Sequence, residues 1–125
     1  MKSFKTSLSA ETAVTALQTA IEAANMRVVA HINGQANAKK MGKEVPADQI
    51  LEVFRPDYAI RVWQACKPAG HDIPLRIHVY EDGSDVVVAC RMPTEVFAPF
   101  GSPELDAIGT ELDSIFENIL SQAVG

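Results

Sequence analysis

Long apolar runs are missing from this chain. None approaches the roughly 20 residues that a membrane-spanning helix needs, so no membrane partner is expected. The first twelve residues, MKSFKTSLSAET, carry two lysines but neither an apolar core segment nor a cleavage site, which argues against a secretory signal. Cysteine is scarce: Cys66 and Cys90 lie 24 positions apart and form no CxxC. They need not pair in a reducing compartment, and a cytoplasmic location is the expectation. Positive charge is absent from the C-terminal part, where no Lys or Arg follows Arg91 while six acids do: Glu95, Glu104, Asp106, Glu111, Asp113 and Glu117. Residues 1–43 lean the other way, with six Lys/Arg against two Glu. An acidic C-terminal surface repels phosphates, and no basic stripe is interleaved with aromatics, so nucleic acid is not an expected partner. There is also no G-x-S-x-G elbow, phosphate loop or dinucleotide fingerprint.

The residues that are present read as one domain over 1–125, long enough to bury a core without disulfides or a structural metal. Its clearest element is a hairpin in residues 72–91, DIPLRIHVYEDGSDVVVACR. Leu75, Ile77 and Val79 alternate with Arg76, His78 and Tyr80, a period of two that puts the aliphatic residues on one sheet face. Glu81-Asp82-Gly83-Ser84 supplies the turn, with positive φ expected at Asp82-Gly83. The second arm has Val86, Val88 and Cys90 on one side and Val87, Ala89 and Arg91 on the other. With both faces largely apolar, it is predicted to lie inside the sheet.

Upstream, residues 2–8 alternate as a short strand, and Ser9 is placed to cap a helix striped by Val14, Leu17, Ile21 and Ala24, with Asn25 to end it. A strand over 26–32 sets Val28, Ala30 and Ile32 against Val29 and His31. A short helix over 35–41 and a third strand over 49–54 follow. Pro56 starts a helix whose buried stripe is predicted to be Ala59, Val62, Trp63 and Cys66. Tyr58 and Trp63 are candidates to line a small apolar pocket, although core packing explains them as well. Ser102 and Pro103 open a final helix striped by Leu105, Ile108, Leu112, Ile115 and Ile119, and Gly109 within it points to a close helix contact. Hairpin-linked strands and singly striped helices together predict an α+β fold: an antiparallel sheet of about five strands with helices packed on one face and the other face open.

Three segments carry a family likeness: Ile32-Asn33-Gly34-Gln35-Ala36-Asn37-Ala38-Lys39-Lys40-Met41-Gly42, then Val53-Phe54-Arg55-Pro56, then Asp72-Ile73-Pro74-Leu75-Arg76-Ile77-His78-Val79-Tyr80-Glu81-Asp82-Gly83. In order and spacing they resemble the domain of unknown function 302 family. The resemblance implies a TATA-binding-protein-like fold, βαβ(4)α in outline, often homodimeric, with no assigned reaction. Two positions depart from the family pattern. Asn33-Gly34 stands where Asp-His is frequent, and Phe54-Arg55 stands where Gly-Asn precedes the proline.

Candidate chemistry is sparse. His31, Glu52, His78 and Arg91 each alternate with core-facing residues of their own segments, so neighbouring strands would project all four from the open face. Two imidazoles and a carboxylate suit a divalent metal, and Arg76 and Arg91 suit a small anion. The alternative is that they form a solvated or subunit-facing sheet surface. Cys66, beside Lys67, is the candidate for a redox or sulfur-handling role, set against burial in its helix stripe. Cys90, flanked by valines, reads as core. Glu81, Asp82 and Asp85 cluster at the hairpin tip, where acids ordinarily only solvate a turn. The first expectation is therefore a non-enzymatic, homodimeric small-ligand-binding or accessory domain using His31, Glu52, Arg76, His78 and Arg91. The alternatives are a redox protein using Cys66, or an interaction module using Glu111, Asp113 and Glu117 of the last helix.

Overall fold

The computed structural model describes residues 1–125. Five strands, β1 (Lys2–Thr6), β2 (Arg27–Asn33), β3 (Asp48–Phe54), β4 (Leu75–Asp82) and β5 (Asp85–Cys90), form one sheet in the order β1-β5-β4-β3-β2. Every neighbouring pair is antiparallel. Helices α1 (Ala10–Ala23), α3 (Pro56–Ala65) and α5 (Pro103–Ser121) carry the long apolar stripes, while α2 (Gly34–Lys40) and α4 (Pro93–Phe97) are short. The α+β architecture matches the expectation, and β5 does lie inside the sheet, between β1 and β4.

The helix boundaries follow their local signals. Ser9 caps α1 by accepting from the Thr12 amide, and Asn25, at φ 60°, ends it in the left-handed conformation. Asn33 accepts from the Ala36 amide at 3.0 Å, so the residue that finishes β2 also starts α2. Leu17 and Ile21 of α1, Val62 of α3 and Leu105, Leu112, Phe116 and Ile119 of α5 bury against Leu51, Val53, Ile77, Val79 and Val88 of the sheet. Each such side chain, removed from water, contributes about 1.5–3 kcal/mol before entropy is counted. Gly109 marks the expected close contact: a Cβ there would stand 3.2 Å from the Thr94 Cα, because α4 rests directly on α5.

Four local readings differ from the sequence. Strand β1 ends at Thr6 rather than Leu8, because Thr6 Oγ1 turns back to accept from the Leu8 amide. The hairpin tip is one residue further on: Asp82 pairs with Asp85, leaving Gly83-Ser84 as a two-residue loop. Only Gly83 has positive φ, at 61°, the arrangement that a glycine in the first loop position permits. Trp63 leaves the predicted α3 stripe and is 45% exposed, while Ala59 and Val62 are buried. With it goes the Tyr58–Trp63 pocket. The niche beside Tyr58, bounded by Met26, Val53, Val62 and Leu112, holds only about 20 Å³ and is not lined by Trp63.

The fourth difference matters most. The β2–β3 register shifts between Val28 and Ala30, inserting one unpaired residue, Val29. Val28 faces Val53, but His31 then faces Leu51 and Ile32 faces Ile50. Side chains alternate strictly along a strand, so one extra residue exchanges the faces of everything beyond it. His31 therefore joins Leu51 on the helix-covered side, and Ala30 and Ile32 turn to the open one.

Candidate functional site: a cleft on the open sheet face

No helix covers the second face of the sheet. It is built from residues opposite in parity to the core set: Asp48, Ile50, Glu52 and Phe54 of β3, Arg76, His78 and Tyr80 of β4, and Val87 and Ala89 of β5. The register sets them side by side, with Glu52 across from Arg76, Ile50 across from His78, and His78 across from Ala89. These pairings account for the polar contacts. Arg76 reaches Glu52 at 3.4 Å. His78 Nε2 donates to Asp48 Oδ1 at 2.9 Å, and its ring stacks on Tyr80 at a centroid distance of 4.5 Å. A carboxylate partner and a stacked ring together fix the imidazole's orientation.

At the end of this face, where β4 begins and β5 leaves the sheet, lies a cleft of about 520 Å³. Ile50 and Ala89 contribute apolar lining, Val96 of α4 borders it, and Arg76, His78, Arg91 and His71 line it. His71 and the neighbouring Asp72 belong to a 3-10 turn, Lys67–Asp72, that leads into β4. Arg91 makes no ion pair within 4.0 Å, whereas Arg76 shares its charge with Glu52. With Arg76 paired to Glu52 and His78 bonded to Asp48, Arg91 is the guanidinium of the lining left without a carboxylate partner, and it is the group that attracts an anion there.

A model of the domain of unknown function DUF302 matches residues 2–123. The chain belongs to the DUF302 family. Among solved structures, this DUF302 domain is similar to an uncharacterized conserved DUF302 protein from Bacillus stearothermophilus, with a TM-score of 0.87 at 18% identity over 98% of this chain and 96% of that one. At that identity the likeness establishes the fold. No curated protein matches the chain.

Of the five residues predicted to share the open face of this DUF302 domain, Arg76, His78 and Arg91 line the cleft, and Glu52 adjoins it through Arg76. His31 does not join them. The Val29 bulge sends it to the opposite side of the sheet, where it contacts Gln49 and Gln18. The two-imidazole metal arrangement fails on this point, and no group of three His, Cys, Asp or Glu side chains is placed to hold a metal ion. His71, Asp72 and Asp48 join the site without a signal in the sequence. His71 and Asp72 precede the strand in an irregular turn, and Asp48 becomes relevant only through the register that sets β3 beside β4.

The remaining candidates have local partners. Cys66 ends α3, half-buried against the core, and Cys90 is buried. Burial pushes the Cys90 thiol up to about 12, so it remains protonated and inert near neutrality. At the hairpin tip Glu81 accepts from the Ala47 amide at 2.6 Å and Asp85 pairs with Lys5 at 3.0 Å, leaving Asp82 as the unpaired acid there. On α5, Glu111 takes both terminal nitrogens of Arg61, which holds its carboxyl below the usual range. Asp113 receives the amide and hydroxyl of Thr94 at 3.0 and 2.7 Å. Two of the three acids proposed as a docking surface are thus engaged within the domain. No helix is long and apolar enough to cross a membrane.

Proposed function

We propose that the domain binds a small anion, a carboxylate or phosphate, in the cleft on the open sheet face. The observation that carries this reading is the convergence of Arg91, which has no ion-pair partner, with Arg76, His71 and His78 around one concavity of about 520 Å³. That volume lies within the range of small-molecule sites, and a few convergent polar groups over an apolar floor are their usual construction. Arg91 and Arg76 supply the charge and the forked donors that match an oxyanion, while the Asp48-bound and Tyr80-stacked His78 adds a rigid wall.

The rest of the face supports assembly. Ile32, 43% exposed, lies across from Ile50, the half-buried isoleucine of the cleft lining, and extends its apolar surface toward the β2 edge of the sheet. A second copy seated on Ile32 at that edge is the assembly this apolar surface suits. The two free thiols suit a reducing, cytoplasmic setting.

Native mass spectrometry of the untagged protein, followed by calorimetric titration with phosphate and with citrate, tests both parts. A dimer is expected, with saturable anion binding that weakens at least tenfold, or about 1.4 kcal/mol, in Arg91→Gln. Absence of saturable binding, or unchanged affinity in that variant, removes the anion-site reading. A monomer at all concentrations removes the dimer.

A further inference from the structure

A second cleft lies on the other side of the sheet, and its chemistry is different. It occupies about 320 Å³ between the first half of α1 and the ends of β2 and β3, lined by Glu11, Val14, Gln18, His31, Asn33 and Gln49 among others. No Lys or Arg lines it, and Glu11 is its single carboxylate. Its wall is a chain of three side chains created by the Val29 bulge, which delivers His31 to this face. Gln18 Nε2 donates to His31 Nδ1 at 3.4 Å, and His31 Nε2 donates to Gln49 Oε1 at 2.6 Å.

The ends of this chain are what make the cleft a site. Gln49 is the one buried polar residue of the domain, only 7% exposed. Its carbonyl is used by His31, but its amide nitrogen has no partner in the protein. No fully enclosed polar atom is left unsatisfied, so that nitrogen reaches the open space of the cleft. Such a solvent-reachable donor bonds water in the free protein, and a ligand acceptor that displaces that water keeps the bond. At the other end, Gln18 spends its nitrogen on His31 and keeps its carbonyl oxygen free. The histidine thus engages one end of each amide, and the two glutamines, each with its other end free of a protein partner, line the same cleft. Val14, Ala10 and Ala47 supply apolar lining.

We infer that this cleft binds a small uncharged molecule presenting a carboxamide edge, a C=O beside an N–H, on an apolar body. The ligand carbonyl accepts from Gln49 and the ligand N–H donates to Gln18, while the Glu11 carboxylate and the lack of any Lys or Arg disfavour a carboxylate of the same shape. The site is independent of the anion cleft and shares no lining residue with it.

Nicotinamide and nicotinate, which share a ring and differ in this one group, are the probes. In a titration of ¹⁵N-labelled protein, nicotinamide is expected to shift the side-chain amide signals of Gln49 and Gln18 saturably. Nicotinate should bind at least about tenfold more weakly. Gln49→Met, close in volume, should weaken nicotinamide by a similar factor, and the more exposed Gln18→Met should do so even if the first variant fails to fold. The inference is overturned if nicotinamide gives no saturable shift, if nicotinate binds equally well, or if Gln18→Met leaves affinity unchanged.

Discussion

Replacing Gly109 with alanine places a methyl carbon 3.2 Å from Phe97 Cδ2, 3.2 Å from the Thr94 Cα and 3.3 Å from the Thr94 nitrogen. Carbon atoms pack best at about 3.5–4.0 Å, so α4 must retreat by a few tenths of an ångström. On helix propensity alone the change gains about 1 kcal/mol. Thr94 decides the sign, because it cannot yield freely: Asp113 holds its amide at 3.0 Å and its hydroxyl at 2.7 Å. Forcing a carbon into such a contact costs about 1–3 kcal/mol. A net loss of about 1 kcal/mol is therefore expected, equivalent to roughly 3–5 °C in Tm for a domain of this size. Urea unfolding should show a lower midpoint with an unchanged slope. In the Asp113→Ala background the same substitution should cost at least about 0.5 kcal/mol less, since α4 is then free to move. A neutral or stabilising Gly109→Ala in the parent protein would falsify the argument, as would the same cost in both backgrounds.

Two further outcomes are expected. Arg61 holds the Glu111 carboxyl below its ordinary value of 4.5, so the pair's contribution is present above that pH and lost as pH falls through the lower native value. Glu111→Gln should flatten the acid limb of the stability curve at low ionic strength, with the difference shrinking in high salt because the pair is exposed. Equal acid limbs for both proteins would contradict the assignment. With iodoacetamide near neutrality, Cys66 should be alkylated before Cys90, whose thiol is buried and pushed up to about 12. Peptide mass mapping that finds Cys90 modified first would show that β5 is not packed as described.

Much of the fold can be read from local chemistry. Ser9, Asn25, Pro56 and Ser102 bound helices because each acts within a few residues of itself, and the alternation of Leu75, Ile77 and Val79 exposes a half-buried strand in any context. The glycine in α5 could be recognised as a contact point because a helix tolerates Gly109 poorly without one. Trp63 misled because helical spacing places it next to Val62 and the core does not extend that far around α3. Its neighbour is instead the 3-10 turn, where a Cβ on Gly70 would come within 3.0 Å of the indole nitrogen.

Within the candidate sites the division is sharper. Residue identity is enough to name the side chains that carry charge, Arg76 and Arg91 among them, and to set the parity of each strand taken alone. How those parities combine depends on the pairing of the strands in the folded sheet. Val29 leaves no mark in the sequence as a bulge residue, being one more valine in a strand-like run. Yet its lack of a partner on β3 moves His31 from the anion-attracting face to the amide-lined cleft beside α1. Register is a property of two strands at once, fixed by which buried faces meet, and periodicity along either strand does not contain it.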